Sequence, residues 1–236
     1  MVRVPYSRDL RERVDGAMAS QRLDFIFSFL IIPICALSFG WNAPAQKPEG
    51  DPKWGKPVAL FNGRDFAGWK FSDPSQARSW TVEKGMLVSA GRGSNIMTIP
   101  KFGDFKLHVE FNCAPKSNSG VYVRNRYADL RYLEVQIETD SEEEPPSHHT
   151  GAVYGRLAPS PELPRRAGEW QTFDITLVGR TITVVQNGQT IIDHKEVPGT
   201  KGGALDSREV PGPIYLQGSE DGRVTFRNIV VTRAKE

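Results

Sequence analysis

The clearest regularity along the chain is alternation. In FKLHVEFN (105–112), Phe105, Leu107, Val109 and Phe111 fall on one side and Lys106, His108, Glu110 and Asn112 on the other. That period of two marks a strand with one face in a core. WQTFDITLVGRTITVVQNGQTIID (170–193) repeats it: Phe173, Ile175 and Leu177 make one apolar face, and Ile182 and Val184 the next. Asn187-Gly188 supplies the two positive-φ residues of a type I′ hairpin turn. Further short strands are predicted at 80–88, 95–99, 151–154, 213–217 and 223–232, and no segment carries a convincing amphipathic helix. Many short strands separated by turn residues predict an all-β, antiparallel fold. The regular repeat of a propeller is missing, so the expected architecture is a two-sheet jelly-roll sandwich.

NSGVYVRNRYADLRYLEVQIETD (118–140) has the same alternation but an unusual second face. Val121 and Val123, then Leu133, Val135 and Ile137, are apolar; opposite them stand Tyr122 and Arg124, then Tyr132, Glu134, Gln136 and Glu138. If the aliphatic set packs inward, the other set projects together from the outer surface of neighbouring strands. Aromatic rings suit the C–H faces of a sugar, and Arg, Gln and Glu suit its hydroxyls. A solvated face with cross-strand Arg–Glu pairs would show the same composition. The segment that follows, SEEEPPSHHTGAVYG (141–155), brings three acids and His148 and His149, half of the four histidines. Histidine serves proton transfer near neutral pH and metal binding. Adjacent residues point apart in extended chain, so one of the pair acting alone, with Glu134, is favoured over a metal site using both. His108 and His194 fit surface positions.

Composition sets the frame for these residues. The chain has 236 residues, 39% hydrophobic and 25% charged, enough for one domain with a core. FIFSFLIIPICALSFGW (25–41) follows Arg11, Arg13 and Arg22 and precedes Ala43-Pro44-Ala45, the order of a secretory signal peptide cleaved after Ala45. Met18 offers a second start, which makes residues 1–17 a candidate extension. The apolar run is interrupted by Pro33 and is at the short end of spanning length, so export to the periplasm or medium is expected rather than stable membrane insertion. Residues 46–56 read as a linker and 57–233 as the domain. From residue 46 onward, 25 Lys and Arg face 24 Asp and Glu, which gives no electrostatic basis for a nucleic-acid partner. Cys113 is then the only cysteine, expected to be a buried, inert thiol at a strand end.

Six stretches carry a family pattern. LFNGRDFAGW (60–69), NSGVYVR (118–124), YLEVQI (132–137), TGAVYG (150–155), GEWQTFDITLVGRTITVVQNG (168–188) and GPIYLQGSEDGRVTFRNIVV (212–231) together resemble the 3-keto-disaccharide hydrolase family. Its domains are also described as 3-keto-glucoside 1,2-lyase and 3-keto-2-hydroxy-glucal hydratase. The resemblance implies a concanavalin A-like lectin/glucanase jelly roll in an exported bacterial protein that acts on glycosides oxidised at C3. The ketone acidifies the C2 hydrogen; removal of that proton expels the C1 substituent, and water addition completes a net hydrolysis. The roles implied are a base, Glu134 or His149; a group at the enolate, Arg124 or a divalent metal with Glu134, His148 and His149 as candidate ligands; and Asn118 and Gln136 at sugar hydroxyls. Tyr122, Tyr132, Tyr154, Trp170 and Gln217 complete the expected substrate contacts. A non-catalytic carbohydrate-binding module on the same scaffold is the competing expectation, since fold does not fix function. The acid and histidine cluster favours the enzyme.

Overall fold

The computed structural model describes residues 51–91, 93–126, 131–139, 143–198, 211–219 and 222–235, apart from the side chains of residues 125, 126, 131 and 132. The expected signal peptide and residues 46–50 of the expected linker lie outside the described residues. The strands are β1 (Val58–Ala59), β2 (Trp69–Phe71), β3 (Trp80–Glu83), β4 (Met86–Ala90), β5 (Ile96–Thr98), β6 (Phe105–Cys113) and β7 (Asn118–Arg126). They continue with β8 (Arg131–Glu138), β9 (Trp170–Val178), β10 (Thr181–Gln186), β11 (Gln189–Glu196), β12 (Tyr215–Leu216) and β13 (Arg223–Arg233). Among the described residues the helical elements are two short 3-10 turns, Pro74–Ser79 and Pro146–His148, and no helix is long and apolar enough to cross a membrane.

All pairings between these strands are antiparallel. An eight-stranded sheet runs in the order β11-β10-β9-β6-β13-β4-β3 with β1 beside β13, and a five-stranded sheet runs β2-β5-β12-β7-β8. This is the antiparallel two-sheet jelly-roll sandwich that the alternation predicts. The larger sheet turns Phe105, Leu107, Val109, Phe111, Phe173, Ile175, Leu177, Val224 and Phe226 inward. The smaller contributes Ile96, Val121, Val123, Leu133, Val135, Ile137 and Leu216. Phe111 and Phe173 pack with ring centroids 4.6 Å apart, and truncating either ring to alanine costs about 3–5 kcal/mol by general precedent for buried aromatics. Asn187 (φ 51°) and Gly188 (φ 79°) close the β10–β11 hairpin as the turn chemistry requires.

Two predicted strands take another form. Residues 80–88 fold as a hairpin, β3 and β4 pairing across a turn at Lys84 (φ 50°) and Gly85 (φ 77°). Residues 151–154 meet the edge of β8 through one bridge, Val153 to Val135, and Val153 also bridges to Leu157. Gly151 (φ 85°) and Gly155 (φ 65°) bend the chain on either side, so it caps the edge without extending the ladder. Three backbone bonds fix it there: Gln136 N–H to the Ala152 carbonyl (3.0 Å), Gly151 N–H to Gln136 (2.9 Å) and Tyr154 N–H to Glu134 (3.0 Å).

Candidate active site

The two sheets present very different outer faces to their surroundings. On the larger sheet that face carries exposed Lys106 and Asp174 and half-buried His108 and Thr172. On the smaller sheet the corresponding positions are polar yet withdrawn from water: Glu134 is 5% exposed, Gln136 3%, Tyr122 7% and Tyr215 3%. Polar side chains this far withdrawn from water, outside the hydrophobic core, are held by partners of their own and sit in surroundings poor in water.

Strand register orders these residues. Tyr215 pairs with Tyr122, Tyr122 with Glu134, and the antiparallel bridge at Val153 sets Tyr154 beside Glu134. Tyr215, Tyr122, Glu134 and Tyr154 therefore form one row across the strands, on the side opposite Val121, Val135 and Val153. The Tyr122 and Tyr215 rings meet edge to face, 6.3 Å apart at 89°. A second row runs beside the first. Gly120 pairs with Gln136, and Gln217 donates its N–H to the Gly120 carbonyl at 2.9 Å. Asn118 pairs with Glu138 in a third, its Nδ2 donating to the Glu138 carboxylate at 2.5 Å.

Beyond Tyr154 the row ends at His148, whose ring stacks on Tyr154 with centroids 4.3 Å apart and 22° between planes. The Glu144 carboxylate lies 3.0 Å from His148 Nδ1. A carboxylate accepts, so Nδ1 carries the proton and Nε2 presents its lone pair when the ring is neutral. Among the described residues, Nε2 has no hydrogen-bond partner.

Several expected site residues are brought together by this geometry: Asn118, Tyr122, Glu134, Gln136, Tyr154 and Gln217 share the face. Others are not. Arg124 was expected beside Tyr122 but is turned away, because β7 bulges between Val123 and Arg126 and Arg124 takes φ 49°. Its guanidinium is fully buried and reaches the end of the other sheet. There it donates to the Gly103 carbonyl (2.7 Å), the Gly179 carbonyl (2.5 Å) and the Asp104 carboxylate. Arg124 is an inter-sheet clasp, which removes it from the enolate.

His149 is also a correction. Its Nδ1 lies 2.7 Å from the Glu162 carboxylate and its Nε2 2.8 Å from the Glu144 carbonyl. Both ring nitrogens are engaged, so the ring ties the two loops together and offers no free nitrogen to a substrate or a metal. Among the described residues no group of three or more His, Cys, Asp or Glu could hold a metal ion. The proposed ligand set of Glu134, His148 and His149 does not fit one. Trp170 stands on the outer face of the larger sheet, with the Arg227 guanidinium 3.8 Å from its ring centroid, across the sandwich from Glu134. Tyr132 falls in β8, but its side chain lies outside the described residues.

Sequence reasoning missed Tyr215 and Gly120. Tyr215 had a signal in PIYLQ, where it alternates with Ile214 and Leu216 exactly as Tyr122 does with Val121 and Val123. Gly120 had none, because its role is to leave space. Cys113, by contrast, is a buried thiol whose pKa is pushed well above its ordinary value by burial and then by the charge of Glu138.

An eight-on-five antiparallel jelly roll with a buried polar row on one sheet is a concanavalin-like architecture. The family model for the 3-keto-alpha-glucoside-1,2-lyase-like domain matches residues 56–232, and the chain belongs to that family. A curated relative, the 3-keto-disaccharide hydrolase of Bacteroides thetaiotaomicron, is 21% identical over 168 residues. The match covers 58% of this chain and 58% of that relative, so the chain spans little more than half the relative's length. Two crystal structures from Parabacteroides distasonis, provisionally described as glycosyl hydrolases, superpose with TM-scores of 0.64 and 0.60 at 20% and 26% identity. They cover 76% and 77% of this chain, and 94% and 100% of their own chains are matched. A Bacillus licheniformis β-glucanase shares the fold at TM-score 0.51 and 13% identity, covering 77% of this chain and 99% of its own.

Proposed function

We propose that the protein cleaves 3-keto-glucosides by elimination across C1–C2 followed by hydration. The observation that carries this reading is the order of groups along the buried row: Tyr154, Glu134 and Tyr122 stand side by side, as C3, C2 and C1 do in the substrate. Glu134 takes the C2 proton. The electron pair moves to form C1=C2 as the C1–O bond breaks, and developing charge on the C3 oxygen is met by the Tyr154 hydroxyl, with His148 stacked behind it. Tyr122 delivers a proton to the departing oxygen. Water then adds at C1 of the enone and gives its proton back to Tyr122, while Glu134, its proton exchanged with solvent, protonates C2, so the sum is one water consumed, one 3-keto-glucose and one alcohol released. Gln136, Gln217 and Asn118 are the hydroxyl contacts of this scheme.

Family membership supports the substrate class, and burial of Glu134 supports its use as a base in a water-poor site. The test is to incubate the protein with a 3-keto-α-glucoside in deuterated water and follow products by mass spectrometry. Released 3-keto-glucose carrying deuterium at C2, lost by a factor of about 100 or more in Glu134→Gln, is the expected outcome. Sugar binding without turnover would identify a non-catalytic module.

A further inference from the structure

The row of outward-facing residues does not stop at Tyr215. Tyr215 pairs with Met97 on β5, and Met97 pairs with Lys70 on β2. Trp69 and Ile96 beside them are buried in the core, so Met97 and Lys70 share the outward face with Tyr215. Register thus continues the line Tyr154, Glu134, Tyr122, Tyr215, Met97, Lys70 across the whole smaller sheet. At about 4.8 Å per strand, three further strand spacings, roughly 14 Å, lie beyond Tyr122. Beyond Glu134 in the other direction, among the described residues, the row holds only Tyr154, after which the chain turns at Gly155 and His148 closes the end. Burial follows the same asymmetry. Glu134, Tyr122 and Tyr215 are buried, Met97 is half-buried and Lys70 is exposed.

We infer that the sugar lies across the strands with its oxidised ring at the Tyr154 end and its aglycone over Tyr215, Met97 and Lys70, making this half of the row an aglycone subsite. The inference rests on the reaction proposed above and adds its direction and selectivity. A ring placed with C3 toward Tyr154 and C1 toward Tyr122 directs its C1 substituent to Tyr215. There an aromatic edge and a flexible thioether offer an adaptable apolar floor, and the Lys70 ammonium offers three donors to hydroxyls at the far rim. Such a floor selects glycosides whose leaving group is itself a ring, such as a second sugar, over those with a methyl aglycone.

The experiment compares methyl 3-keto-α-glucoside with a 3-keto-disaccharide as substrates of the full chain and its Met97→Ala, Lys70→Ala and His148→Ala variants. Met97→Ala and Lys70→Ala are expected to raise KM for the disaccharide about five- to tenfold while leaving the methyl glucoside within about twofold. His148→Ala is expected to affect both substrates alike. Turnover of the disaccharide insensitive to Met97→Ala and Lys70→Ala, or a disaccharide-selective defect in His148→Ala, overturns the assigned direction alone. Wild-type protein that turns over neither substrate overturns the reaction and the subsite with it.

Discussion

The carboxylate of Glu134 occupies the space in which a side chain on Gly120 would begin. A Cβ built on Gly120 falls 2.2 Å from Glu134 Oε1 and 2.9 Å from its Cδ. Gly120 pairs with Gln136 rather than with Glu134, so the acid leans diagonally over β7, and a glycine there is what lets it lie flat. Gly120→Ala should swing the carboxylate out of line. The displaced atoms end a flexible side chain, so the backbone need not move. The expected result is a kcat lower by about 10- to 100-fold, with a thermal midpoint within a few degrees of wild type. Steady-state kinetics beside a circular-dichroism melt check it, and an unchanged kcat would remove Glu134 from the chemistry.

Arg124 should behave in the opposite way. Its buried guanidinium satisfies two carbonyls and a carboxylate at the ends of the other sheet, and Asp104 Oδ1 also accepts from the Gly179 N–H at 2.8 Å. Arg124→Ala strands those acceptors and leaves Asp104 without its counter-charge, a loss of about 3–5 kcal/mol. Urea unfolding should show it, while the folded fraction retains its KM. A large kinetic defect at unchanged stability would return Arg124 to the site.

These two residues show what is readable from sequence and what is not. The alternation in 105–112 and 170–193 is a one-dimensional projection of the core, and the structure turns those faces inward. Glu134, Gln136 and Tyr122 were legible for the same reason, because their partners Val135 and Val121 had to be inside. Arg124 obeys the same alternation in sequence, yet a bulge after Val123 rotates it toward the other sheet. A bulge is decided by what the strand must meet in space, which alternation does not encode. His149 looked reactive because histidine is versatile. Its two acceptors, Glu162 and the Glu144 carbonyl, come from loops whose approach no local pattern announces. Tyr215 is the reverse case, visible in its strand but meaningful only once β12 is seated between β5 and β7.

Cys113 gives a prediction on the alkaline side. Burial, and after it the negative charge of Glu138, holds the thiol protonated in the folded state far above the ordinary value of 9.0. The unfolded chain releases that proton once pH passes its ordinary value, whereas the native state keeps it. Folding stability contributed by the neutral thiol is therefore intact below pH 9.0 and falls as pH rises beyond it. Denaturant midpoints measured from neutral to strongly alkaline pH should decline more steeply in wild type than in Cys113→Ala. A thiol reagent should label the protein only on unfolding.

On the acid side the sensitive cluster is the outer face of the larger sheet. Glu110 accepts from Asn228 Nδ2 and from Arg227 Nε, each at 2.6 Å. The Asn228 bond is the largest influence on its carboxyl; burial, next in size, opposes it, and the Arg227 contacts add to the lowering, so the carboxyl is held below the ordinary value of 4.5. Because the folded value is depressed, the stability it contributes is present above pH 4.5 and is lost as pH falls through the lowered value. Arg227 is partly exposed and salt screens it, so the effect is modest and should shrink at high ionic strength. Glu110→Gln should flatten the acid limb of the unfolding profile. The same surface holds Trp170 under Arg227, on the far side of the sandwich from Glu134. Glu110→Gln and Trp170→Ala should therefore both leave KM for a 3-keto-glucoside unchanged. A KM raised several-fold by Trp170→Ala would mean that sugar reaches the larger sheet, and the buried row on the smaller one would no longer account for recognition.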